Sequence, residues 1–204
     1  MKKNNKATKH APEVINVTGQ KRAAVRAAAA VLKSGGLVVM PTDTVYGVAC
    51  IPGKEARIYR AKVRDRKKPI PLLVSGMCGV ARCGGVMEAA EKELARKFWP
   101  GPLTLVLNLR GGGTEGFRIP RNKTAMEVIR RAGGALRVTS ANMSGQPPAL
   151  TAKEAIDSLG HSVDLVLDGG RIGEGVPSTV VRVVDGRPKI LRKGALSRKQ
   201  CLNL

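Results

Sequence analysis

Residues 37–47 read LVVMPTDTVYG, a short apolar run followed at once by a proline and a group of small polar residues. The run Leu37–Met40 predicts a buried strand, and the proline after it predicts a turn where this strand ends. Two threonine hydroxyls and the carboxylate of Asp43 follow, at a place where ligands collect in open α/β sheets. A turn that Asp43 caps through local N–H groups accounts for the same residues without a ligand.

Segments with helical and strand patterns alternate around this stretch. Helical spacing or helix-ending glycines and prolines mark residues 20–33, 54–62, 87–98, 124–132 and 153–159. Apolar runs predict strands at 37–40, 70–74, 103–109, 117–119, 136–139 and 163–167, and a hairpin joins 179–184 to 189–191 around Asp185-Gly186.

This order predicts an α/β fold: a single domain with a twisted, mostly open mixed sheet flanked by helices. We expect the domain to span residues 17–204, after a basic, mobile N-terminal arm of residues 1–16.

The chain is strongly basic: its 204 residues hold 36 Lys and Arg against 15 Asp and Glu, a net charge of +21. Such a charge favours phosphate-rich partners, namely nucleic acid, nucleotides or an acidic membrane surface. With two Phe, two Tyr and one Trp, the chain has few rings on which bases could stack, which argues against RNA-binding modules of that type. No apolar run approaches the roughly 18 residues of a membrane helix, so we expect a cytoplasmic protein that does not bind membranes.

Two further segments combine small polar or basic residues with a predicted strand. Residues 62–69 (KVRDRKKP) carry five cations between a helix and a strand, which suits either a solvated basic turn or a clamp for a polyphosphate. Residues 139–145 (TSANMSG) follow a strand, and their small side chains would let a phosphate approach the backbone. Ser140 lacks a histidine placed to activate it and a G-x-S-x-G frame, which argues against a covalent nucleophile.

Other familiar sites are disfavoured. Residues 111–116 (GGGTEG) satisfy G-x-G-x-x-G, but a predicted strand follows instead of a helix, so a hairpin loop is the better interpretation. No G-x-x-x-x-G-K-[ST] is present. The four cysteines form no C-x-x-C pair and the two histidines lie far apart, which argues against a zinc site.

Taken together, these segments resemble the TsaC/YrdC family of threonylcarbamoyl-AMP synthases. The resemblance runs from about residue 37 to residue 194, and its motifs stand in the family's order. They are PTDTVYG (41–47), K-x-R with K-P (62, 64, 68–69), WPGPLT (99–104), R-x-P (118–120), S-A-N-x-S-G (140–145), DGG (168–170), P-S-T-V-V (177–181) and L-R-x-G (191–194). The chain departs from the family at Val63, where relatives often carry a small or polar residue, and at Asp65, where many carry proline or serine.

The resemblance implies a YrdC-like α/β twist with an open basic cavity, and a nucleotidyltransferase activity. L-threonine, bicarbonate or CO2 and ATP would give threonylcarbamoyl-adenylate and pyrophosphate, and a separate transferase complex would pass the threonylcarbamoyl group to tRNA. The implied threonine contacts are Thr44, Arg118 and Ser178. The implied ATP contacts are Lys62, Arg64, Lys68, Ser140, Asn142 and Arg192, of which Lys62 and Arg64 would be catalytic.

No metal-binding residues are expected, and Mg2+ would be carried mainly by the ATP phosphates. The alternative from another functional class is a non-catalytic protein of the same fold that binds double-stranded RNA, tRNA or the ribosome. Its support is the part of the positive charge that the nucleotide site does not explain.

Overall fold

The computed structural model describes residues 11–173 and 175–202. Within these residues the helices are α1 (Lys21–Lys33), α2 (Glu55–Ala61), α3 (Met77–Arg82), α4 (Ala89–Phe98), α5 (Lys123–Arg131), α6 (Ala152–Leu159) and α7 (Arg198–Leu202), with a short 3-10 helix at Gly160–Ser162. The strands are β1 (Glu13–Asn16), β2 (Val38–Met40), β3 (Gly47–Cys50), β4 (Leu72–Val74), β5 (Gly85–Val86), β6 (Leu103–Leu109), β7 (Thr114–Arg118), β8 (Ala135–Ser140), β9 (Leu165–Asp168), β10 (Thr179–Val184) and β11 (Arg187–Arg192).

All of these strands belong to one open sheet, in the order β1-β9-β2-β3-β8-β4-β7-β6-β10-β11, with β5 beside β6. The pairs β1/β9, β2/β9, β4/β7 and β6/β10 are parallel and the others are antiparallel. The predicted α/β fold, with a mixed open sheet flanked by helices, is therefore confirmed.

The core lies on both faces of the sheet because side chains alternate along each strand. In β2, Val38 and Met40 pack in a cluster with Leu32 of α1 and Val128 of α5. Val39, between them, packs in a second cluster, which includes residues of α2 and α6. A third cluster joins α4 to the strands from β4 to β10. The longest helix, α1, has 13 residues. No helix in the described part of the chain is both long and apolar enough to cross a membrane.

Local sequence signals explain the elements that were predicted well. Asn122 begins α5 by accepting a hydrogen bond from the Ala125 N–H at 3.0 Å, and Thr151 begins α6 by accepting one from the Glu154 N–H at 3.1 Å. The hairpin of β10 and β11 turns at Asp185 and Gly186, whose φ angles of 50° and 71° suit a tight turn. Strand β6 has the predicted bounds of 103–109.

The predicted boundary of the N-terminal arm is wrong at its C-terminal end. Residues 13–16 form β1, which pairs with β9, and hydrogen bonds from Glu13 N to Asp164 O and from Val17 N to Asp168 O extend the pairing. This strand is short and mostly exposed, so the chain around it carries no periodic signal. Residues 1–10 of the predicted arm lie outside the described residues. Strand β3 and helices α3 and α7 were also not predicted.

Val63 adopts an uncommon backbone conformation just after α2. Its φ is 48°, in the left-handed region, and its side chain is 75% exposed. A β-branched residue is strained there, and nothing packs over the side chain to compensate. This strain lies between Lys62 and Arg64, two of the predicted site residues.

We expect Val63→Asn to raise the free energy of unfolding by about 1 kcal/mol, because asparagine tolerates the left-handed region better than valine. Urea denaturation measures the change. The matched control is Val184→Asn, an exposed valine at the end of β10 without a positive φ, which should not be stabilised. Equal effects at the two positions would contradict the assignment of strain to Val63.

Candidate functional site

A cavity of about 290 Å³ lies against one face of the sheet. Its floor comes from residues two apart in neighbouring strands, such as Thr104 and Val106 in β6 and Gly116 and Arg118 in β7, because such residues share a face. The lining residues therefore come from strands β3, β8, β4, β7, β6, β10 and β11, and the residues after β2 form only part of the wall.

Positive charge dominates this cavity. Among the described residues that line it, Arg64, Arg118 and Arg192 are basic and Glu115 alone is acidic. Glu115 Oε2 lies 2.5 Å from Nη1 of Arg137, so its charge is already paired. Burial lowers the pKa of Arg192, and the charge of Arg64 lowers it further. A cavity with three guanidinium groups and little free acid is suited to anions.

Arg118, at the end of β7, is 6% exposed and is held from three sides. Its Nε donates to the Gly101 carbonyl at 3.0 Å, its Nη1 to Thr44 Oγ1 at 3.0 Å and its Nη2 to Asp43 Oδ1 at 2.6 Å. Burial lowers the pKa of Arg118, whereas the Asp43 carboxylate raises it. A guanidinium has five N–H groups, so one on each Nη remains for a ligand.

Thr42, not Asp43, caps the turn after β2. Thr42 Oγ1 accepts from the N–H groups of Thr44 and Val45 at 3.2 and 3.3 Å and donates to the Val45 carbonyl at 2.7 Å. Since Thr44 Oγ1 already accepts from Arg118, its own proton can be donated to Thr42 or to a ligand. Thr44 and Arg118 thus present donors side by side, an arrangement that suits a carboxylate.

A second polar group stands on the other side of the cavity. Ser178 Oγ lies 2.8 Å from Thr104 Oγ1, and Arg192 Nη2 donates to the Ser178 carbonyl at 2.6 Å and to its Oγ at 3.2 Å. Arg64 lies at the rim, where its Nε and Nη2 donate to the carbonyls of Lys68 and Pro69, each at 3.2 Å. The cations are therefore oriented mainly by backbone oxygens.

Lys62 lies beneath the cavity wall and is 1% exposed. Its ammonium donates to the carbonyl of Ser140 at 2.5 Å, to that of Asn142, and to Asn142 Oδ1 at 3.4 Å. Burial lowers the pKa of Lys62 to about 8, with a further contribution from Arg64. All three donors of the ammonium are directed at residues 140–142.

The structure separates the predicted site residues into two groups. Thr44, Arg64, Arg118, Ser140, Ser178 and Arg192 line the cavity together. Lys62, Lys68 and Asn142 are not among its lining residues: Lys68 is exposed, and the Asn142 side-chain amide donates to the carbonyls of Met143 and Gln146.

Sequence reasoning did not assign a site role to Thr104 or Glu115. Side chains alternate between the two faces of a strand, and this alternation along β6 and β7 could have identified both residues if those strands had been known to flank the site.

Comparisons with known proteins agree with this geometry. The Sua5, YciO and YrdC family model, described as "Telomere recombination", matches residues 30–194. A protein of Mycobacterium leprae (strain TN) is 38% identical over 190 residues, covering 87% of this chain and 86% of its own length. The threonylcarbamoyl-AMP synthase of Bacillus subtilis (strain 168) is 33% identical over 186 residues, covering 85% of this chain and 54% of that protein. The structure of P. abyssi Sua5 complexed with L-threonine superposes with a TM-score of 0.82 at 28% identity, covering 89% of this chain and 57% of that one.

Replacing Lys62 by methionine should change how stability depends on pH. The pKa of Lys62 is about 8 in the folded chain and 10.5 at its ordinary value. At pH values between these two, the unfolded chain binds more protons than the folded one. The contribution of Lys62 to stability is therefore fully present above pH 10.5 and is lost as the pH falls through about 8. The difference in unfolding free energy, wild type minus Lys62→Met, should rise by up to about 3 kcal/mol from pH 7.5 to 10.5.

Urea denaturation at several pH values measures this difference. Lys92→Met is the matched control, because Lys92 is an exposed lysine on α4. If the difference in unfolding free energy stays constant with pH, or rises equally for the control, the claim that burial lowers the pKa of Lys62 would be contradicted.

Proposed function

This chain belongs to the Sua5, YciO and YrdC family, and we propose that it makes L-threonylcarbamoyl-adenylate from L-threonine, bicarbonate or CO2, and ATP, with release of pyrophosphate. The observation that carries the proposal is the cavity itself, where donors for a carboxylate at Thr44 and Arg118 line the same space as the cations Arg64 and Arg192. In the proposed reaction an amino acid and a nucleotide would bind there together.

Thr44, Arg118 and Ser178 would bind threonine. The two remaining N–H groups of Arg118 would pair with the substrate carboxylate, and the Thr44 hydroxyl would add a donor. Support comes from the L-threonine complex of the P. abyssi relative, whose chain superposes on this one. Thr104 would act through Ser178, whose hydroxyl lies 2.8 Å from its own.

Arg64, Arg192 and Ser140 would bind ATP directly. Lys68, exposed near the rim, would reach a phosphate with its mobile side chain. The ATP contacts of Lys62 and Asn142, and the catalytic roles of Lys62 and Arg64, stay predictions. We further propose that Lys62, which holds the carbonyls of residues 140 and 142, fixes the segment that carries Ser140.

The chemistry proposed for this site needs positioning and charge neutralisation. The threonine ammonium gives up one proton to water or bicarbonate, and the free amine adds to CO2 and gives up a second proton in the same way, which forms the carbamate anion. A carbamate oxygen then attacks the α-phosphorus of ATP, and the bond to the β-phosphate oxygen breaks as pyrophosphate leaves with its electron pair. Both reactants are anions, so Arg64 and Arg192 would lower the barrier by neutralising the triphosphate.

The residues of the cavity do not form a magnesium site of their own. In the described part of the chain no three acidic, histidine or cysteine side chains are grouped to hold a metal ion, and Glu115 is paired with Arg137. We therefore assign Mg2+ to the phosphate oxygens of ATP, with water completing its coordination. The product would supply a transferase complex that forms N6-threonylcarbamoyladenosine in tRNAs reading codons that begin with adenine. The cytoplasmic location of this reaction stays a prediction.

Pure protein incubated with ATP, Mg2+, L-threonine and bicarbonate should release pyrophosphate, which a coupled colorimetric assay measures. Omission of threonine or of bicarbonate should abolish the release, because each supplies part of the attacking carbamate. Release that does not depend on threonine would contradict the proposal. A complete lack of release would favour the alternative of a non-catalytic RNA-binding protein.

Arg118→Lys should raise the KM for threonine about 10- to 100-fold, because lysine keeps a charge for Asp43 but lacks the fork that pairs with a carboxylate. The KM for ATP should change less than about threefold. Arg121→Lys is the matched control, since Arg121 is an exposed arginine three residues later. A larger effect of Arg118→Lys on the KM for ATP would overturn the assignment of the two substrates.

A further inference from the structure

Asp43 pairs with Arg118 and has no direct role in the function proposed above. Its Oδ1 is 2.6 Å from Arg118 Nη2, and the two side chains are only 11% and 7% exposed. Asp43 is not among the described residues that line the cavity, although its neighbours Thr42 and Thr44 are. A largely shielded carboxylate therefore contacts the binding arginine without itself lining the cavity.

The three contacts of Arg118 come from two separate parts of the chain. Gly101 precedes β6, whereas Asp43 and Thr44 lie in the turn between β2 and β3. Of these partners only Asp43 carries a charge, so its hydrogen bond is the strongest of the three. With Nε, Nη1 and Nη2 each engaged, the plane of the guanidinium is fixed, and its two unused N–H groups keep one direction.

We propose that Asp43 is a positioning residue that holds the Arg118 guanidinium so that its free N–H groups point into the cavity toward the carboxylate of the amino-acid substrate. This inference rests on the proposed function of the same site. Asp43 touches no substrate atom and acts only through Arg118.

A competing role for Asp43 makes the opposite prediction. If Asp43 occupies the place that the substrate carboxylate takes later, it competes with the substrate, and its removal would strengthen binding. Simple electrostatics points the same way, because one negative charge less near Arg118 favours an incoming anion. If Asp43 positions Arg118, its removal leaves a buried guanidinium that turns toward other acceptors, and binding weakens. The sign of the change separates the two roles.

The test compares Asp43→Asn and Asp43→Glu with wild type in the pyrophosphate assay. Asp43→Asn should raise the KM for threonine about 10-fold, leave the KM for ATP within about threefold, and change kcat less than the threonine KM. Asp43→Glu keeps the charge and should recover part of the loss. The matched control is Asp157→Asn, which removes the same charge from an exposed pair with Lys153 and should change neither KM.

A double-mutant cycle shows whether Asp43 acts through Arg118. In an Arg118→Lys background, Asp43→Asn should add little further loss, because the fork that Asp43 orients is already gone. A lower threonine KM for Asp43→Asn, or losses that multiply in the double variant, would overturn the inference. Circular dichroism checks folding, and if Asp43→Asn does not fold, the same cycle is run with Asp43→Glu.

Failure of the proposed function remains distinguishable from failure of this inference. Wild-type pyrophosphate release tests the function, whereas the inference depends on the ratio between variants and wild type. If wild type is inactive, calorimetric titration with L-threonine alone gives the same ratios as dissociation constants. A wild type that neither releases pyrophosphate nor binds L-threonine would overturn both.

Discussion

Mutual repulsion among closely placed cations is the constraint on which this site depends. Arg64, Arg118 and Arg192 line one cavity, and Lys62 lies directly beneath its wall. Cations grouped in this way repel one another and are more stable in solvent, unless each one has a hydrogen-bond acceptor of its own. The fold supplies these acceptors mostly as backbone carbonyls, which orient a cation without cancelling its charge. Among the three arginines, the described part of the chain supplies a carboxylate partner only for Arg118, the most deeply buried of them, and the cavity keeps its positive potential.

The sheet explains why those acceptors are available in the right places. The cavity lies over a face to which several strands contribute small or β-branched side chains, so that backbone and cations can come close. The Thr42 hydroxyl satisfies the turn after β2 and leaves Asp43 free to pair with Arg118. One short segment, PTDT, thus closes a turn, presents a hydroxyl to the cavity and holds an arginine through three successive polar side chains.

Prediction from sequence succeeded where the physical signal is local. Helix α5 has a capping asparagine, β6 is a continuous apolar run, and the β10–β11 hairpin turns at Asp-Gly. Strand β1 depends on its pairing with β9, about 150 residues away, which no local pattern reveals. The same distinction applies to the site. The sequence motifs identified six residues that line the cavity. They did not show that the side chains of Lys62 and Asn142 are directed away from it, because that direction depends on hydrogen-bond acceptors elsewhere in the fold. The substrate roles of all these residues stay predictions.

The pair Lys62 and Arg64 shows how the backbone decides the role of a side chain. Both are basic, they stand two residues apart, and a sequence motif treats them as one unit. Lys62 ends α2 and points under residues 140–142, whereas Arg64 lines the cavity rim. Between them the chain turns through Val63 with a φ of 48°. The strain at Val63 therefore accompanies a turn that directs Lys62 into the protein and Arg64 toward the cavity. A residue that relaxes this turn can stabilise the fold, and the contacts of Lys62 and Arg64 limit how far the turn can move.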